Sequence, residues 1–570
     1  MIAAGMQNLI SFFGIFVFIG CAWVLSENRR AFPWRVVGFG LALQFLFAGL
    51  VLWWEPGSRF FLQLNDVFTA LLSFSREGTM FVFGSLGTDI SGVNPISLKE
   101  FLTRLAADSS DPVLQQAIVN GTVPGFVLAL QVLTTIIFFS ALLSVLYYYG
   151  IMQKVVDLFA RIMAKTMKLS GAEALSNSAN IFVGQTEAPL VVRPFIATMT
   201  RSELMAIMVG GFANTAGGVL GAYVLMLSGY FPNIAAHLIS ASLLSAPAAF
   251  IMAKVMVPER ETPKTMGTVS MDVPIEDANV LDAAANGSTV GWQLTINVTA
   301  MLMAFLALLA MVNMFIGWAG GLFHDGSGLL RFNVLAAAGL TAVLAVRRFG
   351  PPRDTTVWWA LPVVLVISAS AGTVLAPIAA ALTIGVAVTL WLTAFLLMGR
   401  TTPLPRHLLA TLACGVVAAD MLFLAFGPLP ATSSLSLQMI LGWLHWPVAF
   451  AMGTPIQDCY EVGRLLGEKL VLTEFVAYAD LGSYLGAAGR GEVPALDPRS
   501  VVLVSYALSG FSNFASIAIQ IGGISPMAPS RRKDIASLGL KAMIGGALAS
   551  YALASVAGVF YNGTSMLGGR

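Results

Sequence analysis

SANIFVGQTEAPLVVRPFI, residues 178–196, decides the fold. An apolar run enters this stretch and another leaves it. Each arm is about a dozen residues, roughly half of what a helix needs to cross a bilayer. The centre, Gly184-Gln185-Thr186-Glu187-Ala188-Pro189, carries a glycine, a proline and three hydrogen-bonding side chains, one of them a carboxylate. That is a poor transmembrane helix and a good re-entrant hairpin with a polar tip. It predicts two half-helices that enter from one side, meet near the midplane and return, over about 172–199.

Working outward, the 570-residue chain is 57% hydrophobic and 11% charged, against about a quarter charged in a soluble domain. Several apolar runs reach about 18 residues or more, which makes an all-α polytopic membrane protein. The net charge of +2 carries no nucleic-acid signal, because the basic residues mark cytoplasmic loops. Cys21, Cys414 and Cys459 lack metal or redox spacing and read as small core residues. No Lys or Arg precedes the first apolar run, while Arg29, Arg30 and Arg35 follow it. This predicts an uncleaved first helix with its N-terminus outside.

In chain order, spans are expected at 8–25 and 36–54, followed by an external, partly interfacial region (55–123) and a span at 124–149. A basic amphipathic helix, MQKVVDLFARIMAKTMK (152–168), should lie on the cytoplasmic surface. The hairpin follows, then a span at 204–229 interrupted at Gly210-Gly211 and Gly217-Gly218, and a plain span at 233–255. A short interfacial segment (278–290) and a span (292–317) precede a hydrophobic block at 333–427. Four short spans are read there, linked by the basic loops RRFGPPRD and GRTTPLPRH. An uncharged amphipathic helix (435–450) leads to a second hairpin, 456–485, with its tip at Leu472-Thr473-Glu474-Phe475. A Gly510-broken span (500–524) and a last span (537–561) complete the chain.

The order of amphipathic helix, hairpin with a tip glutamate, Gly-broken span and plain span therefore occurs twice, at 152–255 and 435–561. The first copy starts inside and the second outside, which is an inverted-topology repeat of the kind that places a transporter's substrate site near the midplane. The expected domains are 1–123 (N-terminal helices, scaffold), 124–317 (first repeat), 318–434 (inserted block) and 435–570 (second repeat).

A carboxylate at the bilayer centre costs roughly 2.5–3.5 kcal/mol on insertion scales, so Glu187 and Glu474, at matching places in the two halves, are functional candidates. The alternative is a glutamate that is protonated and hydrogen-bonded to backbone at each tip. Asp420, Asp458, Glu461 and Asp480 lie nearer span ends and read as surface groups. Unwound tips expose carbonyls, which together with Asn or Thr oxygens suit a hard cation. Asn180 and Asn214-Thr215 are the candidates, with helix capping as the other reading. Asn513 and Ser516, three apart, share a helix face. Together with Gln185, Thr186 and the two glutamates they form a set for hydroxyls and amides, and Phe511 and Val219 offer an apolar face for a planar ring. No basic residue is placed at the midplane, since Arg193 on the returning arm reads as snorkelling or bridging helices. An uncharged polar ligand with an aromatic part fits this set. GxSxG, HExxH and clustered His/Asp patterns are missing, which argues against an enzyme.

These residues resemble the concentrative nucleoside transporter family. The motifs are GQTEAPLVVRPF (184–195), FANTAGGVLGAY (212–223), EDANVLDAAANG (276–287), KLVLTEFVAY (469–478), GFSNFASIAIQIGG (510–523) and MAPSRRKDIASLGLKA (527–542). They cover both repeats in the family's order, and the block 333–427 has no counterpart in the family's usual bacterial core. The resemblance implies a symporter of the inner (plasma) membrane that imports nucleosides, uridine-like and with purine nucleosides in range, by an elevator motion driven by sodium. It implies that Gly184, Gln185, Thr186, Glu187 and Val219 meet the nucleobase, that Glu474, Asn513 and Ser516 hold the ribose, and that Phe511 lines the site. Asn180, the Val183 carbonyl, Asn214 and the Thr215 carbonyl match the family's sodium site. A homotrimer in lipid is the implied assembly. Two departures are Thr473, where Asn commonly precedes the hairpin glutamate, and Asn214, where Ser or Thr is expected. Rival readings are proton coupling through Glu187 or Glu474, which QTEAP with Asn180 disfavours, and a nucleoside-sensing receptor with the inserted block as its signalling module.

Overall fold

The computed structural model describes residues 2–83, 128–267, 277–321, 436–561 and 563. Residues 84–123 of the external region and the whole block 333–427, with Cys414 and Asp420, lie outside the described residues. Among the described residues no strand forms, and the lone β-bridge joins Ser170 to Met266. Seven helices here are long and apolar enough to cross a membrane. The chain divides into two units, residues 1–306 with 440–570 and residues 307–439. In the second unit, Asn313 donates to Gln438 Oε1 at 2.9 Å and accepts from the Leu437 amide at 2.8 Å. The site described below lies in the first unit.

Helices α1 (Ile2–Val24), α2 (Trp34–Ala48, continued by a π-turn through Trp53) and α3 (Glu55–Phe83) open it. Helices α4 (Thr135–Tyr148) and α5 (Ile151–Met167) precede the first hairpin. α5 buries Met152, Val156, Ala160, Met163 and Met167, one face of a helix, and leaves its lysines outside. α3 buries Ser58, Asn65, Leu72, Ser75 and Thr79 along one stripe and packs on the bundle, with Phe68 stacked on Phe139 at 4.7 Å.

The first hairpin enters as α6 (Gly171–Ala179), unwinds at 180–187, and returns through a 3-10 turn (Ala188–Val192) and a short helix (Arg193–Ile196). α7 (Arg201–Ala213) and α8 (Gly217–Leu227) are two halves of one span. Both α6 and α7 begin with a capping box. Ser170 and Glu173 cap one and Thr200 and Glu203 the other, and the Ser170 hydroxyl donates to Glu203 Oε1 at 2.5 Å. The break falls at 214–216, between the two glycine pairs. Gly210-Gly211 sit inside α7 and do not break it, because a glycine in a helix costs only about 1 kcal/mol. They admit side chains instead: a Cβ on Gly211 would lie 2.4 Å from the Gln520 amide. The hairpin tip docks on the break, with the Gly217 N–H donating to the Phe182 carbonyl at 3.0 Å.

α9 (Ile234–Met256) is the plain span and is buried almost throughout. α10 runs unbroken from Val280 to Gly321, so the expected separate interfacial segment at 278–290 is the first part of a 42-residue helix. Gly287 and Gly291 lie directly on α4 and allow the two helices to close up. α11 (Leu437–Ala451) leads to the second hairpin, which is α12 (Cys459–Val471) and α13 (Glu474–Gly489) with its tip at Leu472-Thr473. α14 (Pro498–Leu508) and α15 (Phe514–Ile524) are the second broken span, and α16 (Arg532–Phe560) is the last. The two breaks cross: a Cβ on Gly510 would stand 2.8 Å from the carbonyl oxygens of both Phe212 and Ala213. α1 packs along α16, and α2 along α9.

Two expectations are corrected. Cys21 is exposed, although Cys459 is buried. Asp458 is buried and accepts from the Asp497 amide at 2.9 Å and from Ser500 Oγ at 2.6 Å, so it fastens the second hairpin to α14. Glu461, Glu468 and Asp480 all converge on Arg464, which ties α12 to α13. Arg193 is exposed, as a snorkelling side chain should be.

Candidate functional site

The two hairpin tips and the two helix breaks surround one cavity of about 370 Å³, in the range of small-molecule sites. Its lining includes every residue singled out for substrate: Gly184, Gln185, Thr186 and Glu187 from the first tip, Val219 from α8, Glu474 from the second tip, and Phe511, Asn513 and Ser516 from the second break. The far wall comes from α4 (Ser140, Ser144, Tyr147) and α10 (Gly287, Val290, Leu294).

Glu474 is the first residue of α13 and is 3% exposed. Thr473 caps the helix, accepting from the Val476 amide, so threonine fills the capping role that asparagine would have at this position. Both carboxylate oxygens are engaged. Tyr223 Oη donates to Oε1 at 3.0 Å and Asn513 Nδ2 to Oε2 at 2.8 Å. Tyr223 belongs to the first repeat and Asn513 to the second. Tyr223 is itself fixed by Tyr478, stacked at 4.5 Å, and by Phe475, edge-on at 4.9 Å.

Asn513 and Ser516 meet, but through a cap. Asn513 is the extended N-cap of α15, and its Oδ1 accepts from the Ser516 amide at 2.8 Å. The Ser516 hydroxyl accepts from Gln185 Nε2 at 3.3 Å, and Gln520 Nε2 donates to Gln185 Oε1 at 3.1 Å and to the Met208 carbonyl at 3.0 Å. The first tip is thus held by α15 of the second repeat.

Behind the first tip lie the predicted ion ligands. Asn180 is 1% exposed, and neither atom of its side-chain amide has a hydrogen-bond partner. The Thr215 hydroxyl is buried and equally unpartnered. Asn214 Oδ1 accepts from Ser245 Oγ on α9. Buried polar atoms are almost always paired, so the unused Asn180 and Thr215 oxygens, at two unwound stretches of backbone, have the chemistry of hard-cation ligands. Of the four predicted ligands, only Val183 also lines the cavity.

Sequence reasoning missed Tyr223, Gln520, Ser245 and Lys469. Tyr223 closes the FANTAGGVLGAY motif and Gln520 lies inside GFSNFASIAIQIGG, so both were in view as residues of matched stretches without a role. Lys469 is a buried basic residue close to the second tip, which the set of residues drawn from the sequence did not include. It lies in the last turn of α12, is 1% exposed, and donates to the Ala507 carbonyl at 2.8 Å and to Ser550 Oγ at 3.4 Å.

Three family models match the chain: "Na+ dependent nucleoside transporter N-terminus" over residues 13–86, "Nucleoside recognition" over 129–230, and "Na+ dependent nucleoside transporter C-terminus" over 237–346 and 405–558. Similar proteins include the uncharacterized transporter YutK of Bacillus subtilis, 32% identical, with 97% of this chain and all of that one covered. Sodium/nucleoside cotransporter 1 of Mus musculus is also 32% identical, over 97% of this chain and 64% of its own longer one. Among solved structures, CNTnw in an inward-facing substrate-bound state matches with a TM-score of 0.67 at 32% identity, over 97% of this chain and 98% of that chain. A CNTnw variant in an outward-facing state matches with a TM-score of 0.67 at 31% identity. The cavity between two crossed helix breaks and two polar tips therefore sits in a chain that belongs to the Na+ dependent nucleoside transporter family.

Proposed function

We propose that the 370 Å³ cavity is the nucleoside site of this sodium-coupled symporter, with the work divided between the repeats. Gln185, Thr186, Glu187 and Val219 face the base, Glu474, Asn513 and Ser516 the ribose, and Phe511 the ring. The observation that carries the assignment is the grip on Glu474. A buried carboxylate whose oxygens are reached from both repeats retains lone pairs for two ribose hydroxyls, since a carboxylate has about four acceptor positions. The ion reading rests on the unpartnered oxygens of Asn180 and Thr215, with the Val183 and Thr215 carbonyls and Asn214 completing the set and Ser245 beside them.

Transport follows an elevator motion in this proposal. CNTnw has been solved in outward-facing, intermediate and inward-facing states, which supports alternating access. The helices that pack around the tips would move together. Residues 1–123, whose α1 and α2 pack on α16 and α9, would serve as scaffold. α4 and α10, which form the opposite cavity wall, would be the static part. An inserted block is part of this reading, and the family model, which matches 237–346 and 405–558 and leaves out 347–404, supports one narrower than residues 318–434. A homotrimer in lipid completes the assembly. One inward charge gains about 2.3 kcal/mol per 100 mV, enough for on the order of 50-fold accumulation.

Glu474→Gln tests the site. Uridine uptake into proteoliposomes should fall by roughly tenfold or more, as expected for a lost hydrogen bond to a charged group of about 1.5–3 kcal/mol, with chromatographic assembly unchanged. Wild-type uptake by the variant removes Glu474 from the ribose site. Uptake that is unchanged when sodium is replaced by choline at fixed pH removes the sodium site.

A further inference from the structure

The two repeats treat the same place in opposite ways. In the first, the entering hairpin arm α6 ends at Asn180, the following span breaks just after α7 at Asn214-Thr215, and the repeat's last span, α9, contributes Ser245. In the second, the entering arm α12 carries Lys469 in its last turn, the following span breaks just after α14, whose last turn presents the Ala507 carbonyl, and the last span, α16, contributes Ser550. Arm end, helix break and a serine from the last span correspond one to one. At the first position the amide and hydroxyl oxygens have no partner; at the second the oxygens are met by an ammonium.

We propose that the Lys469 ammonium is a tethered cation in the second repeat's equivalent of the sodium site, so that each chain keeps a single site for a mobile ion. The ligands argue for it. Lys469 is almost completely buried, no carboxylate lies within ion-pairing distance of it among the described residues, and its bonds go to neutral carbonyl and hydroxyl oxygens, the donors a hard cation takes. Its charge rests at the C-terminal end of α14, where orphan carbonyls and the helix dipole favour a cation. Glu474 opens α13 five residues beyond Lys469, so this cation organises the second tip as the transported ion would organise the first. A lysine cannot leave, and this half of the site is always set.

The inference rests on the sodium reading above, and its test separates the two. For the purified protein, a ligand bound only by the folded state raises stability with a slope of one RT per logarithmic unit of concentration per site once saturating. Thermal stability is measured against sodium concentration, with sodium activation of uridine uptake alongside, for wild type, Lys469→Arg and Lys469→Ala. Wild type and Lys469→Arg should show one sodium per chain. Lys469→Ala opens a pocket floored by the Ala507 carbonyl and Ser550; its slope should approach two and its activation should become cooperative. Methylammonium should return both to one. A folded Lys469→Ala protein with a slope of one, indifferent to methylammonium, overturns the proposal whether or not it transports. So does a slope of two in wild type. A wild type without any sodium slope defeats the sodium site of the first repeat instead, and the methylammonium response of Lys469→Ala still decides the role of Lys469.

Discussion

Tyr223→Phe isolates one hydrogen bond at the centre of the site. The tyrosine is fully buried, its hydroxyl donates to Glu474 Oε1 at 3.0 Å, and its ring stays wedged between Tyr478 and Phe475 in the variant. Removing the hydroxyl leaves Glu474 with Asn513 as its remaining direct side-chain donor. Deleting a donor to a buried group costs roughly 1–3 kcal/mol. A bound ribose brings its own hydroxyl to the carboxylate and offsets part of this. The net loss should be about 1–2 kcal/mol, a rise of roughly 5–30-fold in the uridine KM at about 1.4 kcal/mol per tenfold. The assay is uptake of uridine, 2′-deoxyuridine and 3′-deoxyuridine by wild type and variant in proteoliposomes. The deoxynucleoside that lacks the hydroxyl bonded to Glu474 should lose less on mutation than uridine does, because the two changes then touch the same oxygen. A uridine KM within twofold of wild type, or equal losses for all three nucleosides, refutes the idea that Tyr223 positions Glu474 for ribose and leaves it a packing residue.

Other perturbations read the frame around the site. Gly510→Ala drives a methyl group into the Phe212 and Ala213 carbonyls; overpacking of this kind costs about 1–3 kcal/mol, so the melting temperature and uptake should both drop. Lys254→Met strands Glu173, which is 1% exposed and paired with Lys254 at 2.7 Å; an uncompensated buried charge costs about 3–5 kcal/mol, and pairing the change with Glu173→Leu should restore most of the lost thermal stability. On the surface, burial pushes the Glu27 carboxyl up, but hydrogen bonds and charge from Arg201 and Lys541 outweigh it and hold the group below the usual carboxylate range. Its stabilisation is therefore full above the unfolded pKa and is lost as pH falls through the lowered one. Glu27→Gln should be less stable at neutral pH by under about 1 kcal/mol, and melts across a pH series should converge with wild type in acid.

Much of this was legible because a bilayer leaves a sequence few options. A twelve-residue apolar arm that ends in Gly-Gln-Thr-Glu cannot cross, so the hairpin at 172–199 follows from length and polarity alone. The second hairpin and both broken spans followed by the same argument. What failed was of another kind. Gly210-Gly211 looked like a break and instead is where Gln520 approaches α7, because composition does not say whether a glycine bends a helix or admits a neighbour. Residues 278–290 looked interfacial because they are polar, yet from Val280 on they open α10, where Gly287 lies against α4. Tyr223 and Lys469 were overlooked for a shared reason. The role of each depends on a distant partner, Glu474 in the other repeat for Tyr223 and the Ala507 carbonyl with Ser550 for Lys469, at a sequence separation that no periodicity records.

The same cross-repeat contacts give a physical route for coupling. An ion among Asn180, Val183, Asn214 and Thr215 would fix the first tip, where Gln185 is already bonded to Ser516 and Gln520 of the second repeat. Ser516 is capped by Asn513, and Asn513 holds Glu474. The chain Gln185–Ser516–Asn513–Glu474 is therefore four residues long and passes once between repeats, each step a direct hydrogen bond. If ordering the tip strengthens nucleoside binding, the nucleoside must strengthen ion binding by the same factor. Gln520 steadies Gln185, the first member of that chain, and touches neither ligand, so Gln520→Leu is the substitution that separates coupling from binding. It frees one side of Gln185 without removing a proposed contact to ion or nucleoside. The uridine affinity measured at saturating sodium should change little, while the factor by which sodium improves it should shrink, by roughly 0.5–2 kcal/mol of coupling energy. An unchanged factor in a normally folded variant would show that the ion reaches the ribose by some other path than the Gln185–Ser516–Asn513 chain.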